Sequence, residues 1–182
     1  MSAGHPDDVL DRAGAALLVL AAERPWRHIT LRDIAQGAGI TLAQLYARAD
    51  SKAELLAHLS ARYDIAALAT AETPSEDVHD RLFDAVMARA EAMEPDRQAL
   101  TAIAREIPAA ALLPHYPATA RAMLEAAGVE ATLPRRAAMM AVWARVAQVW
   151  RDDEGALNRT MAEIDRLLKQ MRDRLSRIGA GF

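Results

Sequence analysis

The sequence predicts an all-α protein: a three-helix, helix-turn-helix head at the N-terminus and a larger helical bundle behind it, about nine helices in all. Three observations carry this. The chain is rich in Ala, Leu and Arg, which favour helix, and shows no sustained alternation of apolar and polar residues. Apolar residues instead recur at helical spacing through most of the 182 residues, 52% of which are hydrophobic. Three helix-start signals also follow in close succession in the stretch TLRDIAQGAGITLAQLYARADSKAELL, from Thr30 to Leu56.

Asp7 and Asp8 open the first helix, where acids face the positive end of the helix dipole. Val9, Ala13, Ala16, Leu17 and Leu20 share one face, and Pro25 stops the helix. Trp26, just beyond, reads as a plug between this helix and the rest of the head. Thr30 then has Asp33 three residues on, Thr41 has Gln44 and Ser51 has Glu54. A side-chain oxygen at the N-cap accepts a bond from an orphaned backbone N–H, and a residue three further on reaches back to the N-cap N–H. The Thr41 and Ser51 pairs are full capping boxes; Thr30 with Asp33 is a shorter imitation. Gly37-Ala38-Gly39 permits a tight turn between the first two of these helices. Ile34, Ala35, Ile40 and Leu45 are spaced to form the small core that sets them at a steep angle. The second of them is expected to span Leu42 to Ala49.

Ser51 starts a helix expected to run to about Ala71, ended by Thr73-Pro74-Ser75. The boundary between head (1–50) and body (51–182) falls within continuous packing, not at a flexible linker. Ser75 to Ala92 is the next helix, with Leu82, Phe83, Val86, Met87 and Ala90 inward, and Glu94-Pro95 starts another. Pro108, Pro114 and Pro117 cut the following chain into short pieces, of which 109–113 is apolar enough for a turn of helix. Pro117 opens a helix closed by Gly128, and Thr132-Leu133-Pro134 starts a long one to about Asp153. The acids 152–154 and Gly155 read as a solvated corner. The last helix spans about 156–178 on a stripe of Leu157, Met161, Ile164, Leu167, Leu168, Met171, Leu175 and Ile178.

Composition narrows the function. There is no cysteine, so disulfides, zinc fingers and thiol catalysis are excluded. The five histidines are scattered without metal-ligand spacing, and no glycine loop for phosphates is present. Neither a catalytic centre nor a metal or cofactor is expected, and the protein is not expected to be an enzyme. No apolar run is long enough to span a bilayer, and a cytoplasmic location is expected. Net charge is −3 overall, yet residues 27–52 carry four bases against two acids. Because phosphate neutralisation supplies much of DNA affinity, so modest a charge predicts salt-sensitive binding.

The head resembles the DNA-binding unit of the tetracycline-repressor (TetR) family. The likeness rests on Thr30-Leu31, Asp33-Ile34-Ala35, Ala38-Gly39-Ile40-Thr41, Leu45-Tyr46, Ser51-Lys52 and Leu55-Leu56. It implies a regulator whose second short helix, begun by Thr41, enters the major groove of a DNA operator. On that resemblance Thr30, Tyr46 and Lys52 hold phosphates, and Leu42, Ala43, Gln44 and Arg48 face base edges or nearby backbone. Arg48, Ala49, Leu42 and Pro25 stand where the family usually has other residues.

Two functions follow for the body. The last two long helices can pair with a twofold mate, and in the resembling family they do so. The expected homodimer face is Val142, Val146, Val149, Leu157, Ile164, Leu168 and Met171. A small apolar effector would lie among Met87, Met123, Met139 and Trp143, since Met adapts to irregular apolar shapes. The alternative comes from the C-terminal half, at 121–128, Trp150 with Asp152-Asp153, and 160–166. It loosely resembles the TetR-fold accessory family of ubiquinone biosynthesis. That family implies a lipid-binding protein without DNA binding; the five bases of residues 164–178 (Arg166, Lys169, Arg172, Arg174 and Arg177), against two acids, would in that reading let the last helix touch an anionic membrane.

Overall fold

The computed structural model describes residues 6–108, 113–153 and 157–182. They form α1 (Pro6–Glu23), α2 (Leu31–Gly37), α3 (Leu42–Tyr46), α4 (Lys52–Ala69), α5 (Val78–Ala92), α6 (Arg97–Glu106), α7 (Tyr116–Ala126), α8 (Leu133–Arg151) and α9 (Asn158–Arg177). No strand occurs among the described residues. None of their helices is long and apolar enough to cross a membrane. The turn expected at 109–113 lies, but for Leu113, outside the described residues, as does the corner at 154–156.

Contacts divide the chain into two compact units, Met1–Ser60 with Pro95–Ala111, and Ala61–Glu94 with Leu112–Phe182. The first unit thus runs ten residues past the boundary expected from sequence, to Ser60, and recruits α6 from far along the chain. The physical reason is apolar: Leu55 and Leu59 on the first half of α4 are buried in it, and so are Ala99 and Ile103 on α6. Its centre is Ala13 and Leu17 of α1, Ile34 of α2 and Leu45 of α3, all without solvent exposure. Burying a Leu or Ile this completely contributes about 1.5–3 kcal/mol. Ile40, expected in this cluster, is only half-buried.

The helix-turn-helix is held by local bonds. Thr30 and Asp33 make a full capping box, tighter than the imitation expected: the Asp33 carboxylate accepts from the Thr30 N–H at 2.8 Å. At Thr41 the box forms as expected. At Ser51 it does not close, because Glu54 reaches past Ser51 to the Asp50 N–H at 2.7 Å. Ser51 Oγ still accepts from the Glu54 N–H, at 3.3 Å. Gly39 takes φ +62°, and the Arg12 guanidinium donates to the carbonyls of Ala38 at 2.6 Å and Gly39 at 2.9 Å. A Cβ on Gly39 would stand 3.1 Å from that guanidinium, so backbone and neighbour both select glycine. The second short helix stops at Tyr46 rather than Ala49, since the chain turns there to bury Ala49.

In the second unit α8 packs against α7 and α9, and α5 against α7 and α9. Helix α5 begins at Val78, not Ser75. Asp77 is its cap, accepting from the His79 N–H at 2.7 Å, while Ser75 Oγ donates to Asp84. The core holds Leu82, Val86, Met123, Leu124, Met139, Val146, Trp150, Ile164 and Leu168. Asp153, expected on a solvated corner, is buried instead. It accepts from both the N–H and the hydroxyl of Thr160, each at 2.8 Å. It thereby satisfies an orphaned first-turn donor of α9, whose N-cap residue Leu157 has no polar side chain to offer.

Candidate nucleic-acid interface

Leu45 anchors α3 inward and leaves the rest of its surface outward. Thr41, Leu42, Ala43, Gln44, Tyr46 and Arg48 are all exposed, Leu42 by 38% and Tyr46 by 61%. Leu42 and Tyr46 are the large apolar groups that this five-residue helix exposes. Gln44 is only partly available. Its Oε1 is spent on the Thr41 N–H, so what it presents outward is its amide N–H pair.

Thr30 is exposed, and its hydroxyl is engaged twice. It accepts from the Asp33 N–H at 3.2 Å and donates to the Asp33 carboxylate at 2.7 Å. That donated bond, with the Thr30 N–H, holds the Asp33 carboxyl below its usual range. A phosphate at Thr30 must therefore displace a carboxylate.

Lys52 is not a free-standing cation. Its ammonium donates to the Trp26 carbonyl at 2.6 Å and stands 4.1 Å over the indole ring. Burial draws its pKa below the usual lysine value, and the charge of Glu106 acts in the opposite sense. Trp26, expected as a plug, is half-buried in a 3-10 turn, Trp26–His28, and serves as the seat of Lys52. Glu106, the last residue of α6, accepts from the Trp26 N–H at 3.1 Å and from the Arg27 guanidinium at 3.4 Å. Neither Arg12 nor Glu106 was legible in the sequence. Each acts on residues at least 26 positions away, and no local pattern marks such a bond.

In the second unit Met87, Met123, Met139 and Trp143 are all buried. Trp143 carries the Arg89 guanidinium 4.2 Å over its ring. Arg89 donates to Asp64 at 2.6 Å, and Thr119 donates to the same carboxylate at 3.1 Å. All three are nearly or wholly buried, a polar node that the apolar pattern of α5 conceals. Burial lowers the Arg89 pKa and Asp64 opposes that.

The residues expected at a homodimer face need correction. Val142, Val146, Val149, Leu157, Ile164, Leu168 and Met171 are all buried within the single chain. The stripe that looked like a mating surface is the surface by which α8 and α9 pack within their own bundle. What these two helices leave exposed is different: it includes Leu133, Ala137, Ala141, Arg145 and Gln148 on α8, and Met161, Ala162 and Arg166 beside a run of charged residues toward the end of α9. Glu163 lies among these and pairs with Arg145 at 3.1 Å and Arg166 at 2.7 Å. Bonds from Arg166 first, then Arg145, bring its pKa down to about 2.

A capped helix, a glycine turn locked by an arginine and an outward-facing second helix define a helix-turn-helix head. Residues 15–59 match the family model described as bacterial regulatory proteins, tetR family. The whole chain has the fold of TetR regulators. It superposes on a TetR transcriptional regulator from Rhodococcus sp. RHA1 with a TM-score of 0.69 and 19% identity, covering 91% of this chain and 96% of that one. With a tetR-family transcriptional regulator from Streptomyces coelicolor the TM-score is 0.57 and the identity 17%, over 96% of this chain and 83% of that one. No curated protein sequence matches the chain. The looser likeness to the ubiquinone-biosynthesis accessory family finds no support in these comparisons.

Proposed function

We propose that the chain is a transcriptional regulator that binds a duplex operator as a homodimer and responds to a small apolar molecule held in its second unit. The observation that carries this reading is the outward presentation of Leu42, Ala43, Gln44, Tyr46 and Arg48 around a fully buried Leu45. A helix anchored by one residue and exposed on the others suits a major groove, with Tyr46 and Arg48 reaching backbone or base edges. Thr30 and Lys52 add phosphate contacts once they give up Asp33 and Trp26. Dimerisation doubles these contacts and offsets the modest charge of each head. The exposed faces of α8 and α9, with Leu133 and Met161, are the proposed mating surface.

The effector is proposed to lie near Trp143, with Met87, Met123 and Met139 forming adaptable apolar walls. Helix α4 runs from Lys52 in the first unit to Ala69 in the second, so a ligand that shifts its axis changes the separation of two paired heads. Only a ligand that binds one arrangement better than the other regulates. The test is a gel shift with the DNA upstream of the protein's own gene at low salt. Wild type is expected to shift it at submicromolar dimer, and Tyr46→Ala and Arg48→Ala to weaken it tenfold or more, roughly 1.4 kcal/mol each. A shift indifferent to both substitutions overturns the reading.

A further inference from the structure

Helix α6 belongs to the same compact unit as the helix-turn-helix, and its last residue meets the cations of the head. Glu106 accepts from the Trp26 N–H at 3.1 Å and the Arg27 guanidinium at 3.4 Å. Lys52, on the other side of Trp26, donates to that residue's carbonyl and covers its ring. One carboxylate thus pairs with Arg27, one of the four bases that residues 27–52 contribute, shares the Trp26 backbone with a second, Lys52, and cuts the net charge of that stretch from +2 to +1. Arg27 is well exposed and Glu106 less so, which leaves the arginine open to another anion. Ala99 and Ile103 bury the preceding turns of α6, and Gln98 donates to the Ala22 carbonyl, so the carboxylate is held in place by its helix.

We propose that Glu106 is a positioning residue that competes with DNA phosphates for Arg27 and, across the Trp26 backbone that it shares with Lys52, sets negative charge against a phosphate arriving there, so that α6 restrains the affinity of the head. This rests on the DNA-binding reading above. A phosphate and a carboxylate demand the same donors, and an internal carboxylate at a fixed position is always present at high local concentration. DNA must displace it from Arg27, or bind without that cation. Anything that draws the end of α6 away from Trp26 would free Arg27 and remove that negative charge from the head.

The test uses the full chain with Glu106→Gln, which keeps size and a hydrogen-bond acceptor but loses the charge, and Glu106→Asp, which keeps the charge. Affinity for the upstream DNA is measured over a salt series. Glu106→Gln is expected to bind about three- to tenfold tighter, with a salt slope steeper by roughly one phosphate contact, and Glu106→Asp to stay near wild type. Equal or weaker binding by a folded Glu106→Gln, with an unchanged slope, overturns the proposal and leaves the regulator reading standing. A second measurement needs no DNA. The chain has only two lysines, Lys52 and Lys169, so their titrations are resolved by NMR of 13C-lysine-labelled protein. Glu106→Gln is expected to lower the Lys52 midpoint and leave Lys169 in place; a Lys52 midpoint that does not move overturns the coupling. If neither protein shifts DNA, the regulator reading falls and the competition with it, whatever the lysine titration shows.

Discussion

Gln44 and Thr41 close a reciprocal pair at the start of α3. Gln44 Oε1 accepts from the Thr41 N–H at 2.8 Å, and Thr41 Oγ1 accepts from the Gln44 N–H at 3.1 Å. A glutamine reads adenine by using its oxygen and its nitrogen together. Here the oxygen is drawn back to the Thr41 N–H, so it is chiefly the donors that Gln44 turns outward while the cap stands. It is expected to select a base that offers an acceptor, such as guanine N7 or O6 or thymine O4. Gln44→Glu keeps the capping oxygen and removes the donors. Selection from randomised duplexes should then shift one position per half-site toward cytosine, whose N4 donates. Gln44→Ala should lose the preference without gaining another.

The Asp64–Arg89 pair should behave as a buried charge pair does. Asp64→Ala strands a guanidinium that is 4% exposed, and is expected to cost about 3–5 kcal/mol in urea unfolding. Replacing both, as Asp64→Ala with Arg89→Met, removes the stranded charge and should cost less than Asp64→Ala alone. A double variant weaker than the single one would contradict this.

Acid stability should carry the mark of Glu163. Its pKa is about 2 in the folded chain against an ordinary 4.5, first through Arg166 and then Arg145. A carboxylate lowered on folding adds stability above pH 4.5 and loses it as the pH falls through 2. Asp165, lowered by Lys169 and His79, acts in the same direction. The Tm of Glu163→Gln should lie below wild type at pH 6, and the two should converge as the pH approaches 2.

Leu168 and Met161 are expected to separate folding from the proposed assembly. Leu168 is 1% exposed within one chain and Met161 42%. Leu168→Ala is expected to destabilise the protomer by about 2–5 kcal/mol, the cost of a core cavity, at any protein concentration. Met161→Glu should leave the protomer's stability nearly unchanged and shift sedimentation from dimer toward monomer.

Local chemistry was legible in the sequence and distant chemistry was not. The Thr41 box and the stop at Pro25 depend on residues within a turn of each other, and they appear where the sequence places them. The Ser51 box slipped because the Asp50 and Ser51 N–H groups both lie within reach of Glu54, and sequence spacing cannot rank them. Periodicity marked Val146, Ile164 and Leu168 as one apolar face each, but could not say whether that face meets its own bundle or a mate. Asp153 looked solvated because its partner Thr160 lies across a corner. For the candidate DNA surface, the family resemblance named Leu42, Ala43, Gln44, Tyr46 and Arg48, which do face outward; it could not show that Gln44, Thr30 and Lys52 already have internal partners.

The ammonium poised over Trp26 also makes that ring a built-in optical probe. Of the three tryptophans, Trp26 alone lies in the first unit, while Trp143 and Trp150 lie in the second. With Trp143 and Trp150 replaced by Phe, emission would come from the head only and would respond when Lys52 leaves its perch. Titrating such a protein with duplex or with candidate effectors would follow that single displacement in real time, without a dye.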